Sequence, residues 1–503
     1  MNVAAPGSEP IRFRLLRGGY FALLGSIVGV LGNFSVSVIL ARMLRPDEFG
    51  IYAIYVVLGI VLIPLLSLSV PSAVTRFTSE LRVKDPKRLG VVLPTALLTL
   101  LAGGLFGTAF VALAVAPLAL RVYGSQVLGP MLVVMGAFLL ANFLALFAGA
   151  VLQGLEEFAW GSILGGLSVL AHVILLLLIV PGFGLVGAAV AGAVSVLLHA
   201  LTAILVTSRA LHRSALEWRW SFSWPEARAI LAFVGPLNAA GMIARGSALV
   251  QNSLVALYVG FVDLANFRIA GIFYGALLLI PRTILAPMLP VLTSMTTTRT
   301  SERSREVLTS LVKLALVLTV PLAGGLLLAT PLAIDVLFGP QYQSAAPLAS
   351  VLILAAVTVF PTAILGEQYL VARGRTLTAL LVTIYSVAVG LLLAFLFLPA
   401  YRTMALPLAA IFTESTLLGI LVMYVVRRGE LSSRPLFRSW AFLFVGTAAS
   451  FVLAFFLPPG LPAVAAIPVF VALSGIAYFG VLQETERRLI RDTLTRMRRR
   501  RNR

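Results

Sequence analysis

The chain of 503 residues contains no cysteine, three histidines and three lysines, and only 11% of its residues are charged. Without cysteine there are no disulfides, thiolate metal sites or cysteine nucleophiles. The histidines, His172, His199 and His212, lie far apart with no metal-ligand spacing, so we expect neither a metal nor a cofactor. Soluble domains are about one quarter charged, which makes a water-soluble fold a poor match.

Catalytic motifs are also missing. No lysine stands in a G-x-x-x-x-G-K-[ST] loop, which excludes ATP hydrolysis by that motif, and neither G-x-S-x-G nor H-E-x-x-H occurs. No polar segment exceeds roughly twenty residues, which leaves no room for a catalytic domain. We therefore expect a protein that is not an enzyme.

Apolar residues make up 60% of the chain, and the mean hydropathy is +1.03. A membrane helix needs roughly 20 apolar residues to cross about 30 Å of hydrocarbon. This rule predicts an all-α integral membrane protein with about fourteen transmembrane helices. The predicted spans are 18–41, 50–75, 90–117, 130–153, 160–180, 185–208, 229–258, 266–290, 308–330, 346–371, 377–398, 405–426, 439–458 and 463–482.

The basic residues are distributed unevenly between the two ends of these spans. Thirty of the 38 lysines and arginines fall in the segments on the side of the N-terminus, and five fall at the opposite ends. The positive-inside rule then predicts a multi-pass protein of the cell inner membrane with both termini in the cytoplasm. Because the net charge of +19 lies in these short segments, it does not indicate a nucleic-acid partner.

The charged stretch 41–52, ARMLRPDEFGIY, is predicted to be an outward-facing turn between spans 1 and 2, because Pro46 breaks a helix and Asp47 and Glu48 suit a new helix N-terminus. It has an echo 215 to 216 residues later, which predicts a parallel internal repeat. The matched positions are Ala41 and Ala256, Asp47 and Asp263, Gly59 and Gly275, and Pro71 and Pro287. The predicted domains are six-helix bundles at 1–215 and 216–432, two extra helices at 433–482, and a basic cytoplasmic tail at 483–503.

Polar residues inside the spans are the candidate functional groups. Span 7 carries one helical stripe of Asn238, Gly241, Arg245, Ala248 and Asn252, and span 1 carries Ser26, Gly29, Asn33 and Ser37. Buried charge in a membrane is expensive, so Arg245 is interpreted as facing a watery cavity, with a structural ion pair as the alternative. Cavity and structural roles stay equally open for Arg282. Glu414 and Glu367 are candidates for ion coupling, whereas Asn142 and His172 are interpreted as satisfied packing groups.

Several stretches together resemble the polysaccharide biosynthesis flippases of the multidrug/oligosaccharidyl-lipid/polysaccharide exporter superfamily. They are ILARMLRPDEFGIYAI (39–54), LSVPSAVTRFTSE (68–80), VLQGLEEFAWGSIL (151–164), DVLFGPQYQSAAPLASVL (335–352) and EQYLVARGRT (367–376). The resemblance implies two six-helix bundles around a central cavity, plus two C-terminal helices in some branches. It also implies alternating access that moves an undecaprenyl-pyrophosphate-type oligosaccharide from the inner to the outer leaflet for envelope polysaccharide synthesis.

On this interpretation the partners are the lipid-linked oligosaccharide, membrane lipids, and a polysaccharide polymerase or glycosyltransferases. Arg245 and Arg282 would meet the pyrophosphate, while Asn33, Asn238 and Asn252 would meet sugar hydroxyls and Ser37 would share the cavity wall.

Two related functions stay open as alternatives, and a membrane enzyme or assembly scaffold for envelope polysaccharide is a third. Lipid II flippases resemble a sister branch with arginines early in span 1, whereas this chain has none between Arg17 and Arg42. Drug exporters of the superfamily usually have a carboxylate within the N-terminal bundle, and no span of the first half here has an interior Asp or Glu. The sugar composition, the energy source, the oligomeric state and the partner proteins cannot be inferred from the sequence.

Overall fold

The computed structural model describes residues 11–213, 218, 220–285, 301–431, 442, 445–453, 456 and 461–478. All regular secondary structure within these residues is helical. The prediction of an all-α, multi-pass membrane protein is confirmed. The chain divides into two compact units, Met1–Val262 and Asp263–Arg503.

The first unit contains helices that differ widely in length, from 8 to 56 residues. Its helices are α1 (Ile11–Met43), α2 (Pro46–Leu66), α3 (Val70–Lys84), α4 (Pro86–Phe110), α5 (Ala116–Tyr123), α6 (Leu128–Ala137), α7 (Leu139–Gly154), α8 (Phe158–Arg213) and α9 (Trp224–Tyr258). A π-helical turn, Val111–Val115, joins α4 to α5.

The second unit is built from similar long apolar helices. In the described residues these are α10 (Phe261–Leu285), α11 (Ser301–Leu337), α12 (Ala345–Ala363), α13 (Thr376–Tyr401), α14 (Ala405–Arg427) and α15 (Leu461–Ile476). Helix α12 continues through a π-helical segment, Ile364–Tyr369, into a last turn at Leu370–Ala372.

Seven helices in the described part are long and apolar enough to cross a membrane, and an eighth follows if the bent pair α6–α7 is one span. Helix α8 has 56 residues, or about 84 Å at 1.5 Å per residue, which is far more than one span needs. Its backbone breaks at Gly184, where φ is 53° and ψ is −135°, so it contains both predicted spans 160–180 and 185–208. The count of about fourteen spans stays a prediction, since parts of spans 8, 13 and 14 lie outside the described residues.

The charged stretch at 41–52 forms a turn, as predicted. Helix α1 ends at Met43 and α2 begins at Pro46. The Arg45 backbone N–H donates to Glu48 Oε2 at 2.9 Å, and the Arg45 guanidinium donates to Asp47 Oδ2 at 3.2 Å. These groups are largely exposed, so they fix the start of α2 without forming a site.

Helix boundaries in the second half recur at nearly the offset seen in the sequence. Helix α2 begins at Pro46 and helix α10 begins at Phe261. The break at Gly184 also has a counterpart at Arg402, where φ is 48° and ψ is −129°. These correspondences favour an internal duplication.

The compact units divide at Val262, later than the predicted bundle boundary at 215, because α9 packs against α2, α3 and α4. Gly50, on α2, also packs closely on Phe261, just after the end of α9. A Cβ on Gly50 would lie 1.9 Å from the Phe261 carbonyl oxygen, so only glycine fits there. The sequence repeat and the compact units divide the chain by different criteria, so the predicted domain boundaries stay a prediction.

Candidate functional site

Helix α9 carries most of the predicted polar stripe, and other helices of the first unit hold its N-terminal half. Arg88, on α4, donates two hydrogen bonds to the Glu226 carboxylate, at 2.8 and 3.0 Å. The Arg76 guanidinium, on α3, lies 4.4 Å from the centroid of the Phe233 ring. Such cation–π and bidentate contacts orient a helix strongly. The N-terminal half of α9 is therefore held in place by α3 and α4.

Arg245 lies near the middle of the stripe and is half-buried. Its side chain runs back along its own helix, because a Cβ on Gly241 would lie 2.4 Å from Arg245 Nη1. No described residue forms an ion pair or hydrogen bond with this guanidinium. Among the described residues Arg245 therefore does not form the structural ion pair that the sequence left open. Its five N–H groups are available to another partner.

The two asparagines of the stripe differ in their surroundings. Asn238 is buried, with 9% of its surface exposed, and its Oδ1 accepts a hydrogen bond of 2.8 Å from the Ser69 hydroxyl. Asn252 donates from Nδ2 to the Ala248 carbonyl oxygen at 2.7 Å, within its own helix. Each side chain keeps part of its hydrogen-bonding capacity for a ligand.

The stripe of α1 divides into a packed side and an open side. Gly32 packs so closely on α8 that a Cβ would lie 2.3 Å from Val169 Cγ1, whereas a Cβ on Gly29 would meet nothing within 4 Å. Asn33 is exposed and donates to the Gly29 carbonyl oxygen at 3.0 Å. Ser37 is buried and donates to the Asn33 carbonyl oxygen at 2.9 Å. The open side of α1 is the one that carries the predicted cavity residue Asn33.

The helices that carry the two stripes are not each other's main neighbours. Helix α1 packs chiefly on α8, and α9 packs on α2, α3 and α4. The side chains of Ser26, Arg282 and Glu367 lie outside the described residues, although Arg282 falls in α10 and Glu367 in the π-helical segment after α12. The assignment of these site residues therefore stays a prediction.

Glu414 lies in α14 and faces α13. Its Oε1 accepts a hydrogen bond of 3.2 Å from the Ser386 hydroxyl. One turn away, the Tyr385 hydroxyl lies 2.9 Å from Thr416 Oγ1, and the buried Thr413 Oγ1 has no hydrogen-bond partner. A carboxylate among hydroxyl groups within apolar helices can exchange a proton or hold a cation.

Sequence reasoning missed a charged cluster after α12 and α14. Arg375 donates from both terminal nitrogens to the Glu430 carboxylate, at 3.1 and 3.2 Å, and the Tyr369 hydroxyl also donates to it. Arg373 lies 3.8 Å from the same carboxylate. Burial alone would raise the pKa of Glu430, but these hydrogen bonds and positive charges lower it overall. The cluster ties two turns of the second unit together.

A second missed feature is a cavity of about 420 Å³ inside the first unit, between α3, α7 and the second half of α8. Its wall includes Asn142 and His199. Asn142 was interpreted from the sequence as a satisfied packing group, but its amide has no hydrogen-bond partner among the described residues and lines this cavity. The same interpretation of His172 is wrong, because its Nε2 is buried and unpartnered.

Solved membrane transporters share this fold. An inward-facing multidrug resistance MATE family transporter of the MOP superfamily aligns with a TM-score of 0.69 at 15% identity, covering 81% of this chain and 98% of that one. The lipid II flippase MurJ, in an inward closed conformation, also aligns with a TM-score of 0.69 at 15% identity, covering 91% and 98%. A MOP superfamily transporter from Pyrococcus furiosus aligns with a TM-score of 0.58 at 14% identity, covering 82% and 95%.

These likenesses define the class as a multi-pass membrane protein with the fold of the MOP exporter superfamily. A family model described as "Polysaccharide biosynthesis protein" matches residues 39–347, which is more than half of the chain. The chain belongs to this polysaccharide biosynthesis family, as the resemblance in its sequence indicated. A comparison with curated protein sequences finds no match.

Proposed function

We propose that this protein is a flippase that carries a lipid-linked oligosaccharide of the undecaprenyl-pyrophosphate type from the inner to the outer leaflet of the cytoplasmic membrane. The family membership supports a role in polysaccharide biosynthesis, and the fold supports alternating access. The protein moves its substrate without changing a covalent bond, so it is not an enzyme.

The observation that carries this proposal is the uncommitted guanidinium of Arg245 near the middle of the 35-residue helix α9. An unpaired charge in hydrocarbon is costly, whereas a charge that meets water and then a phosphate is well solvated. Guanidinium groups bind phosphate oxygens through short, charge-assisted hydrogen bonds. Arg245 therefore binds the pyrophosphate as it leaves the cytoplasmic headgroup region.

The sugar part needs neutral hydrogen-bonding groups, because each sugar hydroxyl that leaves water without a partner raises the barrier to crossing. Asn33 is exposed on the open side of α1 and serves this role, together with Ser37. Asn238 and Asn252 serve it from α9, and Arg282 adds a second cation for the pyrophosphate. The lipid tail stays in the bilayer throughout.

The same proposal fixes location and partners. The protein lies in the cell inner membrane with both termini in the cytoplasm, where glycosyltransferases assemble the substrate. A polysaccharide polymerase takes the product on the outer side. Glu414, with Glu367 as a second candidate, couples an ion gradient to the cycle.

The direct experiment reconstitutes the full-length protein in liposomes with a lipid-linked oligosaccharide labelled on its sugar. We expect Arg245→Ala to slow arrival of the label on the far leaflet by roughly 10- to 100-fold, the equivalent of a lost charge-assisted bond of about 1.5–3 kcal/mol. Its melting temperature should not fall, because Arg245 has no internal partner to lose.

Arg121→Ala is the matched control, since Arg121 is an exposed arginine of the same unit, in the last turn of α5. It should translocate at the wild-type rate. Wild-type speed in Arg245→Ala would remove the site assignment, and a wild-type protein that moves no labelled lipid would remove the function.

A second candidate, a cation-coupled exporter of small molecules, is favoured by the Glu414–Ser386 contact and by the MATE-like fold. Glu414→Gln separates the two. Loss of ion-driven efflux of organic cations, with oligosaccharide transport absent in the wild type, would establish the exporter. A lipid II flippase is the third candidate, and lipid II offered beside other lipid-linked oligosaccharides in the same liposomes tests it.

A further inference from the structure

The cavity inside the first unit lies where a membrane protein normally has packed side chains or lipid contacts. It is formed by α3, α7 and the second half of α8, and none of the residues that we assign to the pyrophosphate or to ion coupling lines it. The polar groups in its wall come from five side chains: Ser72, Thr75, Asn142, Gln153 and His199.

The cavity is deep. On α7 its wall runs from Gln153 at the inner end to Asn142, eleven residues away, which is about 16 Å along a helix. A hydrocarbon core is about 30 Å thick, so the cavity reaches roughly halfway across from the side predicted to be cytoplasmic. A wall with this many amides and hydroxyls does not face acyl chains, because polar groups in lipid need partners.

Several of these groups have hydrogen-bonding capacity that the described residues do not use. The Asn142 amide and the Ser72 hydroxyl have no side-chain partner. Gln153 accepts from the Thr75 hydroxyl at 3.3 Å through Oε1, which leaves both N–H groups of its amide to donate. The Nδ1 atom of His199 is buried and has no hydrogen-bond partner. Such groups in a membrane interior imply an occupant that can both donate and accept.

The lining residues carry no fixed charge, which limits the kind of ligand that the cavity can bind. No lining residue is Asp, Glu, Lys or Arg, and His199 is the one titratable group among them. The charged groups of α3 that follow the cavity residues, Arg76 and Glu80, are exposed, and Arg76 is stacked on Phe233 of α9. A phosphate would lack a cation here, and a metal ion would lack a carboxylate.

We infer that this cavity is a binding pocket for an uncharged, hydroxyl-rich group, which in this protein is a sugar of the transported oligosaccharide. The identification of the sugar rests on the proposed function. The volume of about 420 Å³ lies within the range of roughly 300–1,000 Å³ that is usual for small-molecule sites. Amides and an imidazole among small residues give the mixture of donors, acceptors and space that a sugar ring requires.

Gly149→Leu fills the pocket without a backbone clash, because a Cβ there meets nothing within 4 Å. Gly161→Leu is the matched control: it lies on α8 of the same unit, is exposed, and is equally free of close neighbours. In the liposome assay we expect Gly149→Leu to raise the half-saturating oligosaccharide concentration at least about tenfold, as the loss of one or two hydrogen bonds implies, with the maximal rate less affected. Gly161→Leu should behave as wild type.

Asn142→Leu tests one group alone. It keeps the side-chain volume and loses no internal hydrogen bond, so the melting temperature should hold while the half-saturating concentration rises about threefold to tenfold. If both variants transport with wild-type half-saturation, the inference is wrong while the proposed function stands. A change confined to the pH profile of His199→Gln would also overturn it, since a proton site needs no sugar.

Binding without transport gives an independent test. Glucose, N-acetylglucosamine and rhamnose are added singly at high concentration to the purified protein. At least one should raise the melting temperature of the wild type and of Gly161→Leu more than that of Gly149→Leu, because a ligand stabilises only the form that binds it. An equal shift in all three proteins for every sugar would overturn the inference, even if the protein flips lipids.

Discussion

Arg245 and Arg375 are both arginines close to the membrane, but they differ in every contact. Arg375 lies in the turn between α12 and α13 and holds the Glu430 carboxylate with both terminal nitrogens. Arg245 lies in the middle of α9, is half-buried, and has no ion-pair partner among the described residues. Both side chains are partly buried, but Arg375 is paired and Arg245 is not.

This contrast separates charge that stabilises the fold from charge that is available for a substrate. A paired arginine at a turn loses its partner when mutated and affects folding, whereas an unpaired arginine in a span costs stability in return for another role. If Arg375→Ala impaired transport and Arg245→Ala impaired stability, this distinction would be wrong.

The first prediction concerns Arg375→Ala, which removes two charge-assisted hydrogen bonds from Glu430. The side chains of Arg375 and Glu430 are 24% and 18% exposed, so screening is partial. We expect the free energy of unfolding to fall by about 1–2 kcal/mol. Thermal unfolding in detergent measures it. Transport per folded molecule should be unchanged, the reverse of Arg245→Ala, and a transport defect without a stability loss would contradict the assignment.

The second prediction follows from the lowered pKa of Glu430. Because the folded-state pKa lies below the ordinary value of 4.5, the contribution to stability is fully present above about pH 4.5 and is lost as the pH falls through the folded-state pKa. Glu430→Gln should therefore be less stable than wild type at neutral pH, and the difference should shrink in acid. A constant difference across this range would show that the carboxylate charge is not involved.

The third prediction has the smallest expected effect and sharpens the role of Arg245. Gly241→Ala places a methyl group where Arg245 Nη1 now lies, 2.4 Å from the new carbon. The flexible side chain can move, so stability should be kept or slightly improved by the better helix former. The displaced guanidinium should slow translocation about two- to fivefold, as a loss of up to 1 kcal/mol implies. Gly246→Ala, next to Arg245 in sequence but free of close contacts, is the control.

The sequence predicted the features that depend on local chemistry and on the membrane. Pro46 marked the turn after α1, and apolar runs marked the long helices. The offset between Asp47 and Asp263 anticipated that a helix start in the first half recurs in the second half. It also anticipated that the positive φ angle at Gly184 recurs at Arg402. These signals are available in one dimension because each comes from neighbouring residues or from composition.

Features that depend on distant side chains could not be predicted in this way. Glu430 and Arg375 are 55 residues apart, and nothing in either segment specifies the other. The cavity combines α3, α7 and α8, so its volume follows from packing alone. One signal was present, since Asn142, Gly149 and Gln153 recur at spacings of seven and four and therefore share a face of α7.

Whether position 245 is in contact with water is the claim on which the transport account depends most. The absence of cysteine from the chain permits a clean measurement, because Arg245→Cys carries a single thiol. A charged, membrane-impermeant thiol reagent should modify it rapidly in liposomes, and lipid-linked oligosaccharide should slow the reaction. Leu170→Cys, at an exposed apolar position of α8, should react slowly. Equal rates at the two positions would contradict the account.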